Sequence, residues 1–369
     1  MLDRLRTTVA VLGVIALFVC IVLALTWKRP AAPVGPAPIV AVTPATTASS
    51  NAADSYREAV KLYQAMQRSG DSSQFDRYAD GAEFGPGADA LFVRHGGIVQ
   101  YVRSGAGAAS FDWGEQEMQE RMKSLNGLRG AARFTMLHAR YARQIGKDPA
   151  AASEDLLAAM ALGRHIGTQP LLIDKLVEVS IESQAIDALA RLLPELPRET
   201  LDALGKKLDS LAKSATGQQM LKGEFENARK EIRRQEAGFV MTQMVEAMEP
   251  FYRDLGTVID SQSPAEFAKS VDAEMSKFNL NTFAQNAGPS LKRAREPLAV
   301  VETKLAMLHT AIGVLLDGES AVAKSRDPFG GGAPFTYSKK AGNGFELTSS
   351  LSTPKDGPVK LRVGEGGAQ

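Results

Sequence analysis

GKDPAAASEDLLAAMALG, residues 146–163, is the stretch whose reading decides the fold class. Gly146-Lys147 stops one helix, and Asp148-Pro149 starts the next. Asp148 supplies a side-chain acceptor for the first free N–H groups, and Pro149 sits at the first helical position, where its missing N–H is no loss. Upstream, Glu115 to Ile145 reads as a helix with an interruption at Asn126-Gly127. Before it, glycine-rich breaks at 81–87 and 104–109 flank a segment holding Leu91, Phe92, Ile98, Val99 and Tyr101. The first helix of the body reads from a cap at Asp54 through Ala59, Val60, Leu62, Tyr63 and Met66 to a stop at Gly70.

Downstream the spacing stays helical. Leu172, Leu176, Val179, Ile186, Leu189 and Leu193 line one face, and Asp174, Lys175, Glu178 and Glu182 are expected mainly away from it. Pro194 and Pro197 end this helix and open another that runs to about Lys213. Residues 217–260 read as the longest helical stretch, kinked at Pro250. Its first half is charged, with Glu226 placed to pair with Lys230. Its second half carries Met241, Met244, Met248 and Phe251, an apolar stripe that serves either core packing or an adaptable groove for a partner helix. Ser263-Pro264-Ala265-Glu266 starts another helix, and a last long one is expected over Leu291 to Lys324. The fold class is therefore mainly α, a body of antiparallel helices over residues 54–325.

Residues 140–163 resemble the turn and second helix of a tetratricopeptide-type hairpin. No second copy follows at the 34-residue period of such repeats, so no repeat array is expected. After Arg326 the pattern changes. Phe335 and Tyr337, then Phe345 and Leu347, alternate with polar residues around Ala341-Gly342-Asn343-Gly344, which predicts a small antiparallel β-hairpin, with Val359, Leu361 and Val363 as a third strand. The order of long helix, Asp327-Pro328-Phe329-Gly330 loop, strand with Tyr337, turn and second strand resembles the ending of the major pseudopilins of type II secretion. It also resembles uncharacterised bacterial envelope proteins with that ending. The resemblance covers Pro297 to Leu351 and implies a loop and hairpin packed on the last helix. The chain begins Met-Leu-Asp-Arg-Leu-Arg, without the pseudopilin processing motif, and Lys355-Asp356-Gly357 matches the family's calcium loop too loosely for that site to carry over.

Residues Val9–Trp27 form an apolar run without a charge. Nineteen residues rise about 28 Å as a helix, close to the thickness of a bilayer core. The run is longer than a signal-peptide core and ends without a cleavage context, so residues 1–28 read as an uncleaved signal anchor. Arg4 and Arg6 precede it and Lys28 and Arg29 follow. The short amino terminus favours a cytoplasmic start and an extracytoplasmic, periplasmic body on the inner membrane. Residues 29–53, with five prolines between Pro30 and Pro44, read as an extended tether. Residues 326–369 hold the β element and the carboxy terminus.

The first 50 residues hold four basic and one acidic residue; the remainder carries 39 basic and 41 acidic. That balance lacks the cationic surplus of a nucleic-acid binder. Cys20 is the only cysteine, so the body has no thiolate ligand and no disulfide. His95, His138, His165 and His309 stand singly, Asp71 to Glu83 reads as a solvated acidic loop, and Gly105 to Ser110 as a flexible one. No metal, cofactor or catalytic residues are expected from these patterns. The leading reading is a membrane-anchored protein acting through protein–protein contacts. The alternatives are an accessory component of a secretion or pilus-like machine, and an enzyme whose site is assembled from distant residues.

Overall fold

The computed structural model describes residues 51–364 apart from 109, 115–117, 235–237, 279–280, 341 and 343, so the apolar run Val9–Trp27 and the tether up to Ser50 lie outside the described residues. The chain is mainly helical, with a small three-stranded antiparallel sheet at its carboxy-terminal end. The helices are α1 (Ala52–Arg68), α2 (Ser72–Ala79), α3 (Ala88–His95), α4 (Gly97–Ala106), α5 (Met118–Gln144), α6 (Pro149–Gly167) and α7 (Leu172–Leu192). After a short 3-10 turn at Leu193–Glu195 come α8 (Arg198–Ser210), α9 (Gly217–Arg234), α10 (Phe239–Glu246), α11 (Glu249–Gly256), α12 (Pro264–Lys277), α13 (Thr282–Asp317) and α14 (Ser320–Lys324). The strands are β1 (Thr336–Lys339), β2 (Phe345–Thr353) and β3 (Gly357–Val363), in the order β1-β2-β3.

Side-chain caps explain several helix starts, those after Asn51, Asp148, Ser263 and Asn281 among them. Asp148 accepts from the Ala151 N–H, with Pro149 behind it, and Ser263 and Glu266 form a reciprocal capping box. The first helix starts earlier than the sequence suggests. Asn51, not Asp54, is its cap, and Asn51 also exchanges hydrogen bonds with Asp112. Helix α5 runs unbroken through Asn126-Gly127. There Gly127 and Gly130 let α1 lie close: a Cβ on Gly127 would meet Val60, and one on Gly130 would enter the Tyr63 ring. The Asp71–Glu83 stretch is also corrected. It contains α2, with Asp71 held by Arg94 and His95, and Asp76 and Asp80 by Arg133.

Three apolar clusters make the core. The first joins α1 to α6, around Tyr56, Phe75, Phe92 and Phe134. The second joins α6, α7, α8 and the second half of α13 to the sheet, and the third is built by α9, α11, α12 and the start of α13. Residues 217–260 hold three helices, not one kinked helix, with breaks at Gly238 and at 247–248. The longest helix is instead α13, with Pro289 and Pro297 inside it. By length and composition α13 would pass for a membrane span, yet Ala299, Met307, Leu308 and Ala311 on it are fully buried in protein core.

The sheet lays Phe345, Leu347, Leu361 and Val363 onto α7 and α13. Between Thr348 and Ser352 the β2–β3 pairing is irregular, which leaves the Ser350 N–H without a ladder partner. The buried Asp327 carboxylate takes that N–H at 2.7 Å, together with the hydroxyls of Ser349 and Ser350 and the Phe329 N–H. The Asp-Pro-Phe-Gly loop thus latches the sheet. Replacing Asp327 with Ala should cost about 2–4 kcal/mol, because buried donors lose a charged acceptor, with Asn recovering part of the loss. Urea unfolding measures this, and a cost under about 1 kcal/mol would show the latch to be dispensable.

Candidate functional site

The acidic residues of α7 are the main departure from expectation. Asp174, Glu178 and Glu182 recur every fourth residue and share one face, and all three are at most 2% exposed. They do not look away from the protein, because α7 is packed around most of its circumference, with Gln184 and Arg191 on its exposed side. Ile173, Val177 and Ile181 pack into the first cluster, Val179, Ile186 and Leu189 into the second, and Leu172 into the third. A helix apolar around most of its circumference is a central helix, and its polar stripe must then find partners inside.

Those partners come from four neighbouring segments. Arg121 of α5 grips Asp174 through two parallel hydrogen bonds at 3.0 and 2.5 Å, the fork geometry that suits guanidinium and carboxylate. Arg164 of α6 bonds Glu182 and stands 3.8 Å from Glu178. The Lys175 ammonium lies 2.9 Å from Glu178 and also donates to Ser214, whose hydroxyl donates to Glu178 at 2.6 Å. Glu224 of α9 accepts the Leu172 N–H at 2.6 Å. This last contact replaces a missing cap: Leu171 occupies the N-cap of α7 and has no side-chain acceptor, so a carboxylate from another helix meets the positive end of the helix dipole.

Small residues allow this approach. A Cβ on Gly167 would fall 1.9 Å from the Glu178 carboxylate, and one on Gly223 would fall 1.9 Å from the Pro170 carbonyl. Gly167 therefore lets the end of α6 lie against the acids, and Gly223 lets α9 lie against the α6–α7 turn.

Burial dominates the electrostatics. It pushes Asp174 up to about 6 against the opposing pull of Arg121, and Glu224 up to about 7 against the hydrogen bond from Leu172. Glu182 is raised to about 7 by burial, with Arg164 opposing and Glu178 adding to the rise. Burial also raises Glu302 on α13, whose charge is felt by Lys175. Burial thus moves Asp174, Glu182 and Glu224 toward neutral pH.

The histidines are each engaged separately. His95 bonds Asp71, His138 bonds the buried Asp155, His309 lies 3.8 Å from Asp209, and His165 meets the Tyr56 hydroxyl at 2.8 Å. Burial lowers the His165 imidazole and raises the Tyr56 hydroxyl, so both groups of this buried pair are held toward their neutral forms. Among the described residues no three His, Cys, Asp or Glu side chains are grouped to hold a metal ion.

The other residues singled out by sequence are dispersed. Met248 and Phe251 are core residues of the third cluster, with Met241 packed against them and Met244 half-buried. Of the stripe read as core packing or as a partner groove, Met248 and Phe251 face inward, because α10 and α11 fold onto α9 as separate helices. Gly105 closes α4 beneath the Tyr56 ring, and Ser110 pairs with Asn51, so the 105–110 segment is tied to α1 at both ends.

Chemically, the α7 cluster neutralises charge and links helices. Ser214 gives its proton to Glu178, and the same carboxylate holds Lys175, so the hydroxyl is bound up within the cluster. The open depression beside it, about 270 Å³ and lined by Thr168, Pro170, Ala215, Gln219, Lys222, Gly223 and Glu226, is smaller than a usual small-molecule site. Comparison with protein-family models, with curated proteins and with solved structures finds no match for this chain.

Proposed function

We propose that this chain is a single-pass envelope protein, anchored in the inner membrane by Val9–Trp27, whose extracytoplasmic helical body acts as a scaffold or interaction module for other proteins. The observation that carries this reading is the uncharged apolar run followed by a five-proline tether. A bilayer-length span joined to a large folded body by an extended spacer presents that body to partners at a distance from the membrane. The α7 cluster supports it secondarily, since its charges are used to join helices to one another.

A second reading, an accessory component of a secretion or pilus-like machine, is favoured by the carboxy-terminal ending. There the Asp327 loop and the hairpin lie on the last long helix in the order that resembles the pseudopilins.

Protease treatment of intact spheroplasts tests both readings. The body should be digested from outside, leaving a fragment protected by the membrane. Protection until lysis would place the body in the cytoplasm and end the proposal. Crosslinking from the exposed face then separates the two, because recovery of secretion-channel or pseudopilin components is expected only of the second.

A further inference from the structure

Among the described residues four large apolar side chains are well exposed: Val93, Ile145, Phe239 and Val240. Single exposed apolar residues are ordinary, and Val93 and Ile145 are of that kind. Phe239 and Val240 are different. They are adjacent, 77% and 71% exposed, and occupy the first turn of α10. Met241, next to them, is half-buried against the third core cluster, so the apolar surface continues from the core out to the tip. The last turns of α9, which precede this tip in the chain, are rich in cations. Between 229 and 246 the sequence carries Arg229, Lys230, Arg233 and Arg234 against Glu231, Glu236 and Glu246. Arg229 and Arg233 pair with Glu246, and Arg234 with Glu231, yet the side chains of Arg233 and Arg234 remain 62% and 51% exposed.

We infer that the Phe239–Val240 tip, with its rim of arginines, is a second membrane contact that dips into the interface of a bilayer with anionic headgroups. An aromatic and a branched aliphatic residue at a helix start, flanked by guanidinium groups, match the layered chemistry of that interface: acyl chains for Phe239 and Val240, phosphates for the arginines. A folded protein partner would equally cover apolar residues, but the cationic rim and the chain's own anchor favour lipid. The inference rests on the anchor reading. The 23 residues from Lys28 to Ser50 reach about 75 Å when extended, more than enough for the body to turn any face to the membrane that holds it. Binding at the tip would lay the body on the bilayer, orienting the surfaces that meet partners.

The full-length chain reconstituted into vesicles tests this. Cys20 is the only native cysteine, so Val240→Cys in a Cys20→Ser background takes a single nitrobenzoxadiazole label, with Val93→Cys as the control. The vesicles are phosphatidylcholine, with and without phosphatidylglycerol. Position 240 should show blue-shifted emission and be quenched by acyl-chain nitroxide lipids, more strongly with phosphatidylglycerol, while position 93 stays water-like. A chain that floats with vesicles while position 240 behaves like position 93 overturns the tip contact alone. A blue shift at 240 without lipid quenching also overturns it, in favour of a protein contact. A chain that does not float overturns both the anchor and the contact that depends on it.

Discussion

Replacing Arg164 with Met should destabilise the body by about 3–5 kcal/mol at neutral pH, among the largest effects of any single substitution outside the apolar core. Arg164 is the cation closest to Glu182 and also faces Glu178, and both carboxylates are nearly inaccessible to water. Removing it leaves the buried Glu182 without its bonded counterion, while Glu178 keeps Lys175, and stranding a buried carboxylate costs far more than the net value of the pair. Two further variants separate this cause from lost packing. Arg164→Met combined with Glu182→Leu removes both bonded partners, leaves Glu178 held by Lys175 and Ser214, and should regain most of the loss. Arg164→Lys keeps the charge but not the planar fork, and should fall between. Urea unfolding followed by circular dichroism gives all three values. A double variant no more stable than Arg164→Met would mean that charge is not the cause.

Such a cluster was hidden from the sequence for a definite reason. Helix starts were legible where the signal is local. Asp148-Pro149 and Ser263 to Glu266 each hold their capping groups within four residues. The strand alternation around Phe345 and Leu347 was equally local, as was the third strand at Val359, Leu361 and Val363. The polar stripe of α7 was visible as a stripe, but which way it faced depends on residues far along the chain. Arg121 is 53 residues from Asp174, and Glu224 is 52 from Leu172. One signal was available: Leu172, Ile173, Val177, Val179, Ile181 and Ile186 cover too much of the helix circumference for a one-sided amphipathic helix. Asn126-Gly127 misled in the opposite direction. A glycine in a helix reads as a break until the ring or methyl group lying on it is known. The breaks at Gly238 and around 247 have no proline at the point of breakage, so Pro250 drew the kink to itself; it instead occupies the first turn of α11.

Stability should rise on mild acidification, with the body harder to unfold near pH 5.5 than at pH 7.5. Asp174, Glu182 and Glu224 titrate at about 6, 7 and 7 when folded, because burial disfavours their charged forms. In the unfolded chain such groups titrate near 4. Between these limits the folded state binds more protons than the unfolded one, so stability is highest below the unfolded values and is lost as pH rises toward 7. Other groups oppose this at the acid end. Asp71 and Glu346 are each raised by burial but lowered further by partners, His95 and Arg94 for the first, Arg362, Lys360 and Lys340 for the second; Glu266 is lowered by Ser263. Their contributions disappear as pH falls through their folded values, and the buried neutral His165 also resists acid. The optimum therefore lies between, in the mildly acidic range. Glu224→Gln isolates the effect, because its one hydrogen bond, from the Leu172 N–H, can be kept by the amide oxygen. The variant should be about 1–3 kcal/mol more stable than the natural protein at pH 7.5 and nearly equal to it at pH 5. Equal differences at both pH values would show that ionisation of Glu224 does not carry the dependence.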